Sequence, residues 1–248
     1  MTRLLHVNVW LLLATLSCKS SAVEPLRIAA AADVAAVLEA RLKPRWTQGP
    51  IEIIAGSSGL LAKQIQEGAP YDVFLSADQE TVDQLLASGS CKKDTKVQYA
   101  QGALALVVPE GKELPLTLAD LENERFQKIA IANPKHAPYG RAALAVLEKN
   151  VNAGVLAQRL VFGENVSQAL QLVRSGNADA AVIARSLVKG PSLLIEPSGH
   201  FPLKQTGVSC AREAHVKDAE QFLKLLMSAD VQKDLESAGF LAPERRAE

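Results

Sequence analysis

An α/β fold of mainly parallel strands, divided between two lobes, is predicted by three features of this 248-residue sequence. Short apolar runs alternate with amphipathic ones along most of its length, the order that builds parallel sheets flanked by helices. No Gly/Ser/Pro-rich linker, low-complexity tract or internal repeat cuts the chain into successive domains, and a chain of this size is better accommodated as two lobes than as one large sheet. Finally, two helix-like runs follow a strand-like segment at 200–210, which reads as a return to the first half.

Taken in order, residues 26–31 form a short apolar strand, and 34–42 carries Val34, Val37, Leu38 and Leu42 at helical spacing. Residues 51–55 are rich in isoleucine and strand-like, whereas 60–67 places Leu61 and Ile65 one helical turn apart. A strand at 72–75 and a helix at 79–87 complete the first set. Strands at 103–108, 128–132 and 178–184, with helices at 141–149 and 167–174, continue the alternation, and helices at 213–227 and 229–238 close it. The expected division is 1–22 as a signal peptide, 23–101 and 205–248 as the first lobe, and 102–204 as the second. The chain is expected to cross between lobes near 99–102 and 201–207.

With 48% hydrophobic and 22% charged residues, the chain has material for a buried core. Its 27 basic and 27 acidic side chains cancel, which argues against a nucleic-acid partner, whose polyanionic backbone demands a basic face. Arg3, the apolar run 7–16 and the small residues Ser20, Ser21 and Ala22 form the pattern of a secretory signal peptide. Lipidation at Cys18 is the alternative processing. Cleavage after Ala22 leaves Cys91 and Cys210, an even pair in an oxidising setting, which predicts a disulfide over two separate thiols.

Four strand-to-helix turns carry the chemistry: Ala31-Ala32-Asp33, Gly56-Ser57-Ser58-Gly59, Ala137-Pro138-Tyr139-Gly140 and Glu164-Asn165-Val166-Ser167. A turn that opens a helix leaves backbone N–H groups without intrahelical partners, so several such turns can converge on a small oxyanion. Asp33 reads as the N-cap of a helix starting at Val34, Asn165 as another cap, and Ser57 as either a cap or a ligand contact. His136, His200 and His215 lack metal-ligand spacing, which predicts no protein-coordinated cation. Glycines do not stand two residues either side of Ser57 or Ser58 in the pattern of a hydrolase nucleophile, and no catalytic residues are predicted.

Read in succession, Ile28-Ala29-Ala30-Ala31-Ala32-Asp33-Val34, the Gly56–Gly59 turn, the run 64–78, Ile131-Ala132-Asn133-Pro134, and the Tyr139 and Val166 turns resemble the periplasmic molybdate-binding proteins of ABC importers. The resemblance spans about 25–240. It implies a two-lobed periplasmic binding protein fold with the oxyanion between the lobes, held by Ala32, Ser58, Tyr139 and Val166. Ala32 and Val166 would act through backbone N–H; Ser58 would add its hydroxyl, and Tyr139 a backbone donor with its ring or phenol closing the cleft. Ala32 stands where many members carry serine, and Ala184 where some carry tyrosine, a loss that Tyr139 would offset. The implied ligand is molybdate or tungstate, with no cofactor, and the implied partners are an ABC permease and its ATPase. The receptor would be periplasmic and monomeric. A same-fold receptor for sulfate or phosphate is the alternative, followed by a serine hydrolase using Ser57 or Ser58.

Overall fold

The computed structural model describes residues 24–196 and 199–243. The predicted signal peptide and Cys18 lie outside these residues.

Among the described residues, ten strands form two five-stranded sheets, accompanied by eight α-helices. The first half supplies β1 (Leu26–Ala31), α1 (Ala35–Val37, continued by a π-helical segment Leu38–Leu42), β2 (Ile51–Gly56), α2 (Ser58–Gln66), β3 (Val73–Ser76), α3 (Gln79–Ala87) and β4 (Val97–Gly102). The chain then enters the second sheet with β5 (Leu104–Val107), β6 (Ile129–Ala132), α4 (Pro138–Asn150), α5 (Ala153–Arg159), β7 (Leu160–Gly163), α6 (Val166–Arg174), β8 (Ala180–Ala184) and β9 (Leu193–Ile195). It returns through β10 (Leu203–Ser209) to α7 (Val216–Leu226) and α8 (Ala229–Ser237).

The strand orders are β2-β1-β3-β10-β4 and β7-β6-β8-β5-β9. β1 pairs parallel with β2 and β3, while β10 runs antiparallel to both β3 and β4. In the second sheet β6 is parallel to β7 and β8, and β5 is antiparallel to β8 and β9. Each sheet is thus mainly parallel, with one reversed strand belonging to a segment that has just crossed between lobes.

Period-two alternation decides which face each residue meets. Ile28, Ala30, Val73 and Leu75 pack with Leu38, Phe222, Leu226 and Leu235 on one face of the first sheet. Ala29 and Phe74 turn to the other, against Leu61, Ile65, Val82 and Leu85. The second sheet has one large cluster, containing Ile129, Ile131, Val146 and Ile183, which also takes in Ala31, Ala32 and Ala77 from the first lobe.

Cys91 and Cys210 are bridged, pinning the loop after α3 to the end of β10. Four elements were not anticipated as regular structure: β4, α5, β7 and β9. All are short, and β4 carries glutamines at 98 and 101 that interrupt an apolar pattern. No helix among the described residues is long and apolar enough to cross a membrane.

Candidate functional site

Each of the four sequence-predicted turns leaves the carboxyl end of a strand, two from each lobe, where α/β sheets place their ligands. Ala32, Ser58, Tyr139 and Val166 line one small cavity, beside Asp33, Ser57, Ala77 and Asn165. The four are 7%, 1%, 3% and 4% exposed, so the lobes are shut over the cavity. Ala184, at the end of β8, is buried but does not line it.

Contacts across the cleft hold this closed arrangement. The Gly59 N–H donates to the His136 carbonyl at 2.9 Å, and a Cβ at Gly59 would lie 2.6 Å from that oxygen, so only glycine permits the approach. The Ser57 hydroxyl lies 2.8 Å from His136 Nδ1. The Ser167 and Ser186 hydroxyls donate to the Ala32 and Asp33 carbonyls at 3.2 and 3.0 Å. Arg141 of α4 pairs with the carboxylate of Asp78, which itself caps α3 by accepting from the Thr81 N–H.

The cavity is lined by donors without charge. The Ser58 hydroxyl accepts from the Ala77 N–H at 3.0 Å, which leaves its own hydrogen to donate elsewhere. The backbone N–H groups of Ser58, Tyr139 and Val166 occupy first-turn positions of α2, α4 and α6 and have no hydrogen-bond partner among the described residues. Asn165 caps α6, its side chain accepting from the Ser167 and Gln168 N–H groups, as its position in the turn predicts. Pro138 stands at N1 of α4, where its missing N–H costs nothing. None of the residues lining the cavity is basic.

Two expectations for the first turn are corrected. The Ala32 N–H donates to the Gly56 carbonyl at 2.9 Å, the closing bond of the β1–β2 ladder, whose last pair is Ala31 and Gly56, so Ala32 meets the cavity as a wall. Asp33 is not an N-cap: α1 opens at Ala35 with Val34 before it and no side-chain cap. Only three α-helical residues then follow before the π-helical segment, so the strongly aligned helix termini at the cavity are three, not four.

The Asp33 carboxylate instead accepts from Gln205 Nε2 at 2.7 Å. Gln205 also donates to the Tyr139 hydroxyl at 3.2 Å, and its Oε1 accepts from the Tyr99 hydroxyl at 2.9 Å. The Tyr139 phenol, carried by the second lobe, thus reaches the first lobe through this network, beside the cavity that the residue lines. Burial pushes the Asp33 carboxyl up to about 6, opposed only in part by hydrogen bonds from Tyr139, Gln205 and nearby backbone. Burial and the Asp33 charge push the Tyr139 hydroxyl well above its ordinary range. Burial lowers the basicity of His136, with Glu164 acting in the opposite direction.

Sequence reading missed Tyr99, Gln205, His136 and Arg141 as parts of this region. None carries a local signal; strand pairing and closure bring them in. Gln205, for instance, reaches the site because β10 pairs with β4 and β3.

Two lobes shut over a small cavity at the carboxyl ends of their strands define a solute-binding protein, in which the ligand is held between the lobes. The chain belongs to the family described as bacterial extracellular solute-binding protein, which it matches over residues 26–241. It is 33% identical over 202 residues to the molybdate-binding protein ModA of Azotobacter vinelandii, covering 78% of this chain and 80% of that protein. To the ModA of Rhodobacter capsulatus it is 31% identical, covering 75% of each. The solved Azotobacter vinelandii periplasmic molybdate-binding protein superposes with a TM-score of 0.79 at 29% identity, covering 88% of this chain and all of that one.

Proposed function

We propose that this protein is a periplasmic receptor that closes on molybdate or tungstate and delivers it to an ABC permease and its ATPase. The observation that carries this reading is the convergence of three unpaired helix N-terminal N–H groups and the Ser58 hydroxyl on one closed cavity lined by no basic residue. A dianion stripped of water is costly to bury, and aimed N–H dipoles replace its hydration shell. Each helix N-terminus carries roughly half a positive charge, so α2, α4 and α6 together offset most of a dianion. Ala32 acts as a wall, and Ser58, Tyr139 and Val166 donate.

Neutral donors accept a fully deprotonated oxyanion, and cavity size then excludes the smaller sulfate by stretching its hydrogen bonds. Ligand bound between the lobes favours the closed state, and that difference in affinity reports occupancy to the permease. Export through the 1–22 signal peptide, action as a monomer and the lack of catalysis complete the proposal. The Ser57–His136 contact is the single observation favouring nucleophilic chemistry. No carboxylate accepts from the other nitrogen of that ring among the described residues, and labelling by a serine-reactive phosphonate tests that reading.

Isothermal titration of residues 23–248 with molybdate, tungstate and sulfate tests the proposal. Tight one-to-one binding of the two larger anions and none of sulfate is expected. Silence with molybdate and tungstate would overturn it.

A further inference from the structure

We propose that Asp33 is the proton-accepting residue of the anion site: when the lobes close on an oxyanion, the Asp33 carboxyl takes up one proton. The inference rests on the anion-receptor reading above and deepens it.

Asp33 lines the same cavity as the four predicted ligand contacts and is 1% exposed. Its hydrogen-bond inventory is closed by geometry. Gln205 Oε1 accepts from the Tyr99 hydroxyl, which fixes the amide so that Nε2 faces Asp33 Oδ2 and the Tyr139 oxygen. Having accepted from Gln205, the Tyr139 hydroxyl keeps its own hydrogen to donate. Asp33 Oδ1 is buried with no partner. An ionised carboxylate buried beside an anion cavity, with no cation paired to it, is disfavoured, and holding a proton removes that charge.

Among the described residues, no cation is a cause of the shift at Asp33. The titratable groups facing Asp33 are Tyr139 from α4 and Tyr99 from β4. Gln205 from β10 and Ser186, just after β8, are neutral, and no lysine, arginine or histidine contributes to the electrostatics of Asp33. Tyr139 and Ser186 come from the second lobe, so opening the cleft withdraws both and readmits water. The open state therefore keeps an ordinary ionised carboxylate, and closure creates the demand for a proton.

The sign follows directly. Burial raises the carboxyl from 3.8 to about 6, so protonation supports closure fully below the lower value and that support fades as pH rises through the upper one. A dianion in the shared cavity repels the charged form and carries the window higher.

Titration of sodium molybdate into residues 23–248 at pH 6, in cacodylate and in bis-Tris, reads proton uptake as the difference in heat between two buffers of unlike ionisation enthalpy. We expect uptake of about half a proton or more, and an affinity that falls as pH rises through about 6. Asp33→Asn should bind with the same heat in both buffers and lose the pH dependence. Equal heats for the wild-type chain would overturn the inference without touching the receptor reading, and that measurement stands even if the variant does not fold. Buffer dependence surviving in a folded Asp33→Asn would also overturn it by placing the proton elsewhere, including on the anion. No heat with molybdate in any buffer would remove the receptor reading and this inference together.

Discussion

The two lobes share one strand plan and solve different problems with it. In each, a parallel trio is extended by a reversed strand and a final edge strand, and the cavity turns follow the middle strand of the trio and its outer neighbour. Those strands are β1 and β2 in the first lobe, β6 and β7 in the second. The first lobe meets the cavity with polar side chains, Asp33, Ser57 and Ser58, and is pinned by the Cys91–Cys210 bridge. The second meets it with Ala137, Pro138, Tyr139, Val166 and Asn165, the last with its side-chain oxygen occupied in capping α6, so that its contribution is mainly backbone N–H and apolar wall. The same topology thus supports side-chain donation on one side and main-chain donation on the other. Substitutions should consequently be felt unequally.

The largest expected difference concerns the disulfide. Replacing both Cys91 and Cys210 by serine opens a closed loop of 119 residues and should cost about 4–5 kcal/mol by chain entropy. Urea denaturation of the oxidised, reduced and doubly substituted protein measures this. A single shifted transition would mean that the lobes unfold together, whereas two transitions would separate their stabilities.

Next in size is the contrast between Ser58 and Val166. Ser58→Ala removes a hydroxyl donor to a charged ligand and should weaken molybdate binding by about 1.5–3 kcal/mol, or roughly 10- to 150-fold. Val166→Ala keeps its N–H, so binding should stay within about threefold while stability falls by about 1–2 kcal/mol from lost apolar burial. Titration and thermal melting of both variants check the pair. Equal losses of affinity would break the division between side-chain and main-chain lobes.

The smallest effect belongs to the ion pair between them. Arg141 is 33% exposed in its side chain, so Arg141→Ala should weaken closure by at most about 1 kcal/mol. That loss should shrink at high salt, because partly exposed charges are screened. Affinity measured at low and high ionic strength tests it.

What could be read from the sequence follows the range of the interactions involved. The apolar periodicity of β1, β3, α2 and α3 is local, and so are the glycine, serine and proline signals of the four turns, whereas the choice of Ala32, Ser58, Tyr139 and Val166 within those turns came from the resemblance to the molybdate-binding family. β7 and β9 have only four and three residues, too few for a period to stand out. The partners of Asp33 were out of reach for a different reason. Gln205 lies 172 residues away, and the local pattern offered a nearer role, a helix cap, which a three-residue α-helical start does not need. The occupied N–H of Ala32 was hidden similarly, since it depends on how far one ladder runs.

The Gly59 contact with His136 acts as a mechanical stop. Main chain touches main chain there, with no side chain that could yield, so the spacing of the lobes is set at that point before any guest is considered. Any side chain larger than hydrogen at position 59 would therefore hold the two lobes apart at this point.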